Sequence, residues 1–105
     1  MATTPEGRIK KMIDRELKKL PVWYFNPQMG AFGRSGVPDK IVCAAGTFVA
    51  IEAKADRTKK PTALQRQCMD KIEQAGGVCF VVYDEATLEE AIEFIGRACY
   101  GCWRK

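Results

Sequence analysis

The stretch GVPDKIVCAAGTFVAIEAKAD, residues 36–56, constrains the fold of this chain more than any other part of the sequence. Two runs within it, Asp39–Ala44 and Thr47–Ala55, are rich in apolar and β-branched residues, which are typical of β-strands. Gly46 lies between the two runs, as expected for a tight turn. The pattern predicts an antiparallel hairpin.

The hairpin carries two acidic residues whose positions are unusual. A turn centred between Ala45 and Gly46 places Asp39 opposite Glu52, with both side chains on one face about 5 Å apart. Like charges at this distance are destabilising unless a cation lies between them, and carboxylates are oxygen ligands that Mg²⁺ accepts. The alternative interpretation is that Asp39 is a turn residue and Glu52 belongs to a surface ion pair.

Lys54 follows Glu52 by two residues, so the period of a strand places both side chains on the same face. An ammonium group in this position can stabilise negative charge that develops on a phosphoryl group. The same spacing also suits the simple surface ion pair between Lys54 and Glu52.

The first part of the chain predicts one helix and one short strand. Thr4-Pro5-Glu6 has the residues of a helix start, and apolar residues then recur at helical spacing until Pro21. The aromatic and β-branched run Val22–Phe25 predicts a strand. Residues 26–38, which are rich in glycine and proline, predict a loop.

The second half predicts a helix, a strand and a further helix. Thr62 is suited to cap a helix that ends at Gly76-Gly77. The apolar run Val78–Tyr83 predicts a central buried strand, and Thr87 is expected to cap the last helix. The predicted order is αβββαβα, an α/β fold with a mixed central sheet flanked by helices.

Composition restricts the function. At 105 residues we expect one domain over residues 1–105. No apolar run is long enough to span a bilayer and the N-terminus lacks the apolar core of a signal peptide, so we expect a cytoplasmic protein. The net charge is +4, with the positive charge concentrated in the first sixty residues. This favours a polyanionic partner such as nucleic acid, although a solvated basic surface gives the same pattern.

Histidine and cysteine usage excludes several classes of enzyme. The chain has no histidine, which excludes Ser-His-Asp hydrolases, Cys-His proteases and Cys/His zinc fingers. Five cysteines, an odd number, indicate reduced thiols. Cys99 and Cys102 form a CxxC motif that follows a helix and has no second CxxC to complete a zinc site. A small thiol protein that uses these two cysteines is a rival interpretation.

The hairpin residues resemble a known nuclease signature. Pro38-Asp39, twelve intervening residues and Glu52-Ala53-Lys54 are similar to the PD-(D/E)xK motif, and the predicted αβββαβ order matches the core of that superfamily. The form Gly36-Val37-Pro38-Asp39 together with Gln65 resembles the VRR-NUC (virus-type replication-repair nuclease) domain in its stand-alone form. The resemblance covers residues 6–84.

The resemblance implies a divalent metal site that holds Mg²⁺ or Mn²⁺. By it, Asp39 and Glu52 hold the ion, the Ala53 carbonyl completes the protein ligands, and Lys54 orients or activates the attacking water. Gln65 matches the family glutamine that lies near the metal and Lys54. Glu6 matches a first-helix glutamate that reaches the site, whereas the alternative is that Glu6 only complements the helix dipole.

The expected function is therefore a metal-dependent DNA endonuclease that hydrolyses phosphodiester bonds, and the alternative is a non-cleaving nucleic-acid-binding domain on the same fold. The resemblance further implies action on branched DNA such as four-way junctions. Because two symmetrically placed strands must be cut there, we expect a C2 homodimer that supplies two sites. Apolar side chains available for a dimer contact are those of Phe32, Phe94, Tyr100 and Trp103. Cations expected to contact the DNA backbone are Arg34, Lys40, Arg57, Lys59 and Lys60.

Overall fold

The computed structural model describes residues 4–27 and 36–100. These residues follow the predicted order αβββαβα, and the fold class predicted from the sequence is confirmed. The elements are α1 (Pro5–Leu17), β1 (Trp23–Phe25), β2 (Lys40–Ala44), β3 (Thr47–Ala53), α2 (Ala63–Gln74), β4 (Val78–Val82) and α3 (Glu85–Tyr100). None of the helices in these two ranges is both long and apolar enough to cross a membrane.

The strands of the described residues form one four-stranded mixed sheet in the order β1-β2-β3-β4. β1 and β2 are antiparallel, β2 and β3 are antiparallel, and β3 and β4 are parallel. The prediction that the apolar run Val78–Tyr83 forms a central strand is wrong, because the strand in this run, β4, lies at one edge of the sheet. The run is apolar because helices pack on both faces of β4.

The turn between β2 and β3 determines the register of the hairpin. Ala45 and Gly46 both have positive φ, 52° and 87°, as a two-residue type I′ turn requires. Ala44 therefore pairs with Thr47, and the ladder continues to Lys40 opposite Ile51. The predicted register is confirmed, and its next step brings Asp39 level with Glu52.

The two faces of the sheet are covered differently. One face packs against α1 and α3, and its side chains join those of both helices in the apolar core. The buried members of that core are Ile9, Ile13, Leu17, Val42, Ala44, Val49, Ile51, Ala53, Val82, Leu88, Ala91, Ile95 and Cys99. The other face carries Glu52 and is covered by α2 over β3 and β4, where Met69 is buried.

Helix ends agree with the sequence at α1 and α2 and differ at α3. Thr4 caps α1 by accepting a hydrogen bond from Gly7 N, and Thr62 caps α2. The expected cap of α3 at Thr87 is wrong, since α3 begins two residues earlier. Asp84 accepts a hydrogen bond from Thr87 N, and the Thr87 hydroxyl accepts in return from Asp84 N. Asp84 is thus the residue that caps α3, and Thr87, the third residue of the helix, completes the cap through the return hydrogen bond.

Candidate active site

Glu52 is the buried carboxylate of the site. It lies on β3 beneath the start of α2 and is only 2% exposed. Its Oε2 accepts a hydrogen bond of 2.8 Å from Gln65 Nε2 and lies 3.3 Å from Lys54 Nζ. Its Oε1 is buried and has no hydrogen-bond partner among the described residues. An orphaned buried carboxylate oxygen is costly, so this atom is suited to bind a cation.

The electrostatic environment disfavours charge on Glu52. Burial is the largest cause, and the neighbouring carboxylate of Asp39 adds to it; together they outweigh the Lys54 ammonium and raise the pKa of Glu52 from 4.5 to about 7. Glu6 acts in the same direction more weakly. A cation bound between the two carboxylates would favour their charged forms.

Gln65 connects Glu52 with Lys54. Its Nε2 donates to Glu52, and its Oε1 accepts from Lys54 Nζ at 2.8 Å and from Thr62 N at 2.9 Å. The last contact is half of a capping box, in which the Thr62 hydroxyl accepts from Gln65 N. Glutamate can also close a capping box. A glutamate at position 65, however, would have no N–H group to donate to Glu52. It would also add a third carboxylate to those of Glu52 and Asp39, so the contacts of the site explain why this residue is glutamine.

Asp39 lies where β2 begins, opposite the end of β3. Its Oδ2 accepts a hydrogen bond of 2.8 Å from Ala53 N. Its Oδ1 lies 3.4 Å from the ammonium of Lys10 in α1. Asp39 is close enough to Glu52 to help raise the pKa of that carboxyl group, and the backbone of Ala53 holds the Asp39 carboxylate in place.

Lys10 is a residue of the site that the sequence interpretation missed. Its Nζ lies 3.4 Å from both Asp39 Oδ1 and Glu6 Oε2. Burial favours a lower pKa for Lys10, but the carboxylates of Asp39 and Glu6 outweigh it and raise the pKa. The helical spacing between Glu6 and Lys10 is the one signal in the sequence for this contact; that Asp39 lies within reach depends on how α1 packs on the sheet.

Glu6 therefore contacts a cation at the site without joining a cluster of carboxylates. Among residues 4–27 and 36–100, no group of three or more cysteine, aspartate and glutamate side chains is placed to hold a metal ion. Glu6 lies in the first turn of α1, where it also complements the helix dipole.

Gly36 explains part of the Gly-Val-Pro-Asp segment. It has φ +80°, and a Cβ at this position would lie 2.6 Å from the carbonyl oxygen of Leu64. Glycine is therefore required both by the backbone conformation and by close contact with the first turn of α2. This contact holds the segment that leads to Asp39 against the residue that precedes Gln65.

A basic groove of about 530 Å³ adjoins the site at the start of α2. Its charged lining residues are Arg57, Lys59, Lys60 and Arg66, and Thr62 and Tyr83 also line it. The Arg57 guanidinium lies 4.9 Å above the Tyr83 ring and 3.3 Å from Asp84 Oδ2. Three of the cations were expected from the sequence. Arg66 was missed because the helical pattern of α2 does not show whether this residue faces the groove or another part of the surface.

Two other expected DNA contacts are placed differently. Lys40 is 2% exposed, and its ammonium donates a 2.8 Å hydrogen bond to Asp14 of α1. Its expected role in DNA binding is therefore wrong, because the strand turns its side chain toward α1 instead of toward solvent. Arg34 lies outside the described residues.

The rival interpretation as a thiol protein is not favoured. Cys99 is buried in the core on α3, and burial raises the pKa of its thiol, whereas a reactive thiol needs a lowered pKa. Cys102 lies outside the described residues.

Comparison with known proteins adds a structural match. No family model matches the chain, and no curated protein matches it. A solved structure described as a VRR_NUC domain is similar, with a TM-score of 0.76 and 29% sequence identity over 88% of this chain and 97% of that chain.

The fold and this structural match support an α/β domain of the PD-(D/E)xK nuclease class. Within this class, the fold of the chain is that of the VRR-NUC domain, in agreement with the resemblance of its motifs.

Proposed function

We propose that the protein is a divalent-metal-dependent DNA endonuclease that hydrolyses phosphodiester bonds. The observation that carries the proposal is the buried Glu52 carboxylate, which has one oxygen held by Gln65 and the other unpartnered among the described residues, beside the carboxylate of Asp39.

The residues present fit Mg²⁺ or Mn²⁺. Both prefer oxygen ligands, and Mg²⁺ commonly binds through one or two carboxylates and keeps several waters. Asp39 and Glu52 would supply the carboxylates and the Ala53 carbonyl a further ligand. A bound ion would act as a Lewis acid on the scissile phosphate and on the attacking water.

The protein side chains prepare the site for this chemistry. Gln65 fixes Glu52 Oε2 and Lys54 Nζ relative to each other, so neither needs to reorganise during the reaction. The Lys54 ammonium would stabilise the negative charge that develops on the phosphoryl group and orient the attacking water. The carboxylate of Asp39 is held by the Ala53 amide. In this proposal Lys10 and Glu6 act through Asp39.

DNA would enter along the basic groove. Arg57, Lys59, Lys60 and Arg66 line it, and Thr62 joins it to the site through its contact with Gln65. Cations of this kind contact the phosphate backbone without reading bases, so binding should depend on salt and little on sequence.

We further propose that the active form is a homodimer that acts in the cytoplasm on branched DNA, with four-way junctions preferred over linear duplex. A C2 dimer presents two copies of the site, as cleavage of two symmetrically related strands requires.

The test is cleavage of labelled linear, flapped and four-way DNA by the pure protein with Mg²⁺, Mn²⁺ or EDTA. We expect cleavage with either ion, none with EDTA, and loss of cleavage in Asp39→Asn and Glu52→Gln. Glu89→Gln, which changes an exposed glutamate on α3, is the matched control and should cleave normally.

Different outcomes identify different errors. Cleavage by Asp39→Asn or Glu52→Gln at the rate of the wild type would show that the site is elsewhere. Salt-dependent DNA binding without cleavage under any condition would favour the non-cleaving binding domain. Equal rates on all DNA forms would leave an endonuclease without the preference for junctions.

A further inference from the structure

Lys10, in the second turn of α1, holds its ammonium between two carboxylates of the candidate site. Its Nζ lies 3.4 Å from Asp39 Oδ1 on the sheet and 3.4 Å from Glu6 Oε2, one helical turn earlier. Carboxylate oxygens are the ligands that hard divalent cations prefer in proteins. A cation that belongs to the chain itself therefore lies where two such ligands converge.

This contact is not needed to hold α1 on the sheet. An apolar stripe of the helix is buried in the core, and a less exposed ion pair joins Asp14 of α1 to Lys40 of β2 at 2.8 Å. The side chains of Lys10 and Glu6 are 40% and 43% exposed, and ion pairs with this exposure stabilise a folded protein very little. The contribution of Lys10 therefore lies in the charge that it brings to the site.

Asp39 is shared by two acidic pairs that differ in their cations. In its pair with Glu52, one carboxylate oxygen, Glu52 Oε1, has no hydrogen-bond partner within the described residues. In its pair with Glu6, the Lys10 ammonium bridges the two carboxylates. After burial, Asp39 contributes more than Glu6 to the raised pKa of Glu52, as expected if Glu6 lies farther from Glu52. The first pair is thus suited to an ion, whereas the second already has a cation.

The formal charges of the site fit one divalent ion better than two. When all five groups are charged, the carboxylates of Glu6, Asp39 and Glu52 exceed the ammonium groups of Lys10 and Lys54 by one negative charge. One divalent ion turns this excess into a single positive charge. A second ion would add two more, and it would compete with the ammonium for the same oxygens of Asp39 and Glu6.

We propose that Lys10 takes the place of a second metal ion, so that this nuclease binds one divalent ion per site. The ammonium neutralises the oxygens of Asp39 and Glu6 that a second ion would need, and it leaves Glu52 and the other side of Asp39 to the first ion. The inference rests on the metal site in the proposed function and states how many ions that site holds. Lys10 is then the residue that determines the metal stoichiometry.

The first experiment counts bound Mn²⁺ by electron paramagnetic resonance of the full chain without DNA. We expect the wild type to bind one ion per chain and Lys10→Met to bind two. Lys10→Gln is a second uncharged variant, in case Lys10→Met does not fold, and circular dichroism checks the fold of each.

Two control variants separate the charge at position 10 from other effects. Lys18→Met removes an exposed lysine from the C-terminal end of α1 and should still bind one ion. Lys10→Arg keeps a positive charge beside Asp39 and Glu6, so it should also bind one ion.

A second experiment locates the additional ion. Ions in two-metal sites lie about 3.5–4 Å apart, so the two Mn²⁺ ions of Lys10→Met should show spin coupling in the resonance spectrum. Adding Glu6→Gln to Lys10→Met should restore a single uncoupled ion, because a ligand of the second ion is lost. Adding Glu89→Gln on α3 instead should leave two coupled ions.

The outcomes distinguish this inference from the nuclease proposal, because the ions are counted without cleavage. Two ions in the wild type, or one ion in folded Lys10→Met and Lys10→Gln, would overturn the inference and leave the nuclease proposal standing. A second ion that is uncoupled or insensitive to Glu6→Gln would lie elsewhere and would overturn it as well. The expected ion counts without cleavage of any DNA would refute the nuclease proposal alone, and no Mn²⁺ binding by any of the proteins would refute both.

Discussion

Replacement of Glu52 by glutamine should stabilise the metal-free protein at alkaline pH. The pKa of Glu52 is raised to about 7 in the folded protein, first by burial and then by Asp39, from the usual value of 4.5. When the pKa of a carboxyl group is higher in the folded protein than in the unfolded chain, ionisation costs more in the folded state. The free energy of unfolding therefore falls as the pH rises from the pKa of the unfolded chain to that of the folded protein. The metal-free wild type should therefore become less stable between pH 4.5 and 7.

The size of this loss follows from the pKa difference. At 1.36 kcal/mol for each pKa unit, a change from 4.5 to about 7 corresponds to about 3 kcal/mol. A domain of this size is typically stable by about 5–15 kcal/mol, so the effect is readily measurable. Glutamine cannot ionise and keeps an oxygen that can accept from Gln65 Nε2, so the variant avoids the loss.

The assay is urea unfolding of the wild type and Glu52→Gln in EDTA at pH 4 and pH 8.5. Other groups titrate in both proteins, so the difference between their free energies of unfolding isolates Glu52. We expect this difference to shift by about 3 kcal/mol in favour of Glu52→Gln on going to pH 8.5. Glu89→Gln should show no such shift.

A difference that is the same at both pH values would refute the reasoning, because Glu52 would then be as easily ionised in the folded protein as in the unfolded chain. Added Mn²⁺ supplies an independent check at pH 8.5. At one hundred times its dissociation constant, a ligand stabilises the folded state by about 2.7 kcal/mol, and we expect this gain for the wild type and its loss in Glu52→Gln.

Three further changes test the neighbours of Glu52. Lys54→Ala should reduce turnover on the order of 100- to 1,000-fold, because a charge-stabilising group is lost, with little change in DNA affinity in a gel-shift assay; loss of affinity alone would make Lys54 a phosphate contact. Gln65→Glu keeps the capping box but adds a carboxylate beside Glu52, so urea unfolding in EDTA should show a destabilisation that is present at pH 8.5 and absent at pH 4. Lys10→Met removes the ammonium beside Asp39, so calorimetry should show tighter Mn²⁺ binding, and an unchanged dissociation constant would show that Lys10 does not compete with the ion.

Local patterns in the sequence were sufficient for the hairpin and for much of the candidate site. The two-residue turn at Ala45-Gly46 determines which residues pair, so the position of Asp39 level with Glu52 follows from the chain alone. Strand period brings Lys54 to Glu52, and a capping motif at Thr62 positions Gln65. Each of these contacts joins residues that are a few positions apart on one element or are connected by one short turn, so the local sequence is sufficient to predict it.

Tertiary packing decided the relations between elements that are distant in sequence. Lys10 reaches Asp39 and Lys40 reaches Asp14 only because α1 packs on the sheet, and both lysines are indistinguishable from surface cations in the sequence. The apolar run of β4 lies at an edge because helices cover both its faces. Trp23, Phe25 and Phe48 are exposed because α2 covers only part of its side of the sheet. Apolar and charged residues show what an element can bury, but the neighbour that covers it is determined by the three-dimensional arrangement of all the elements.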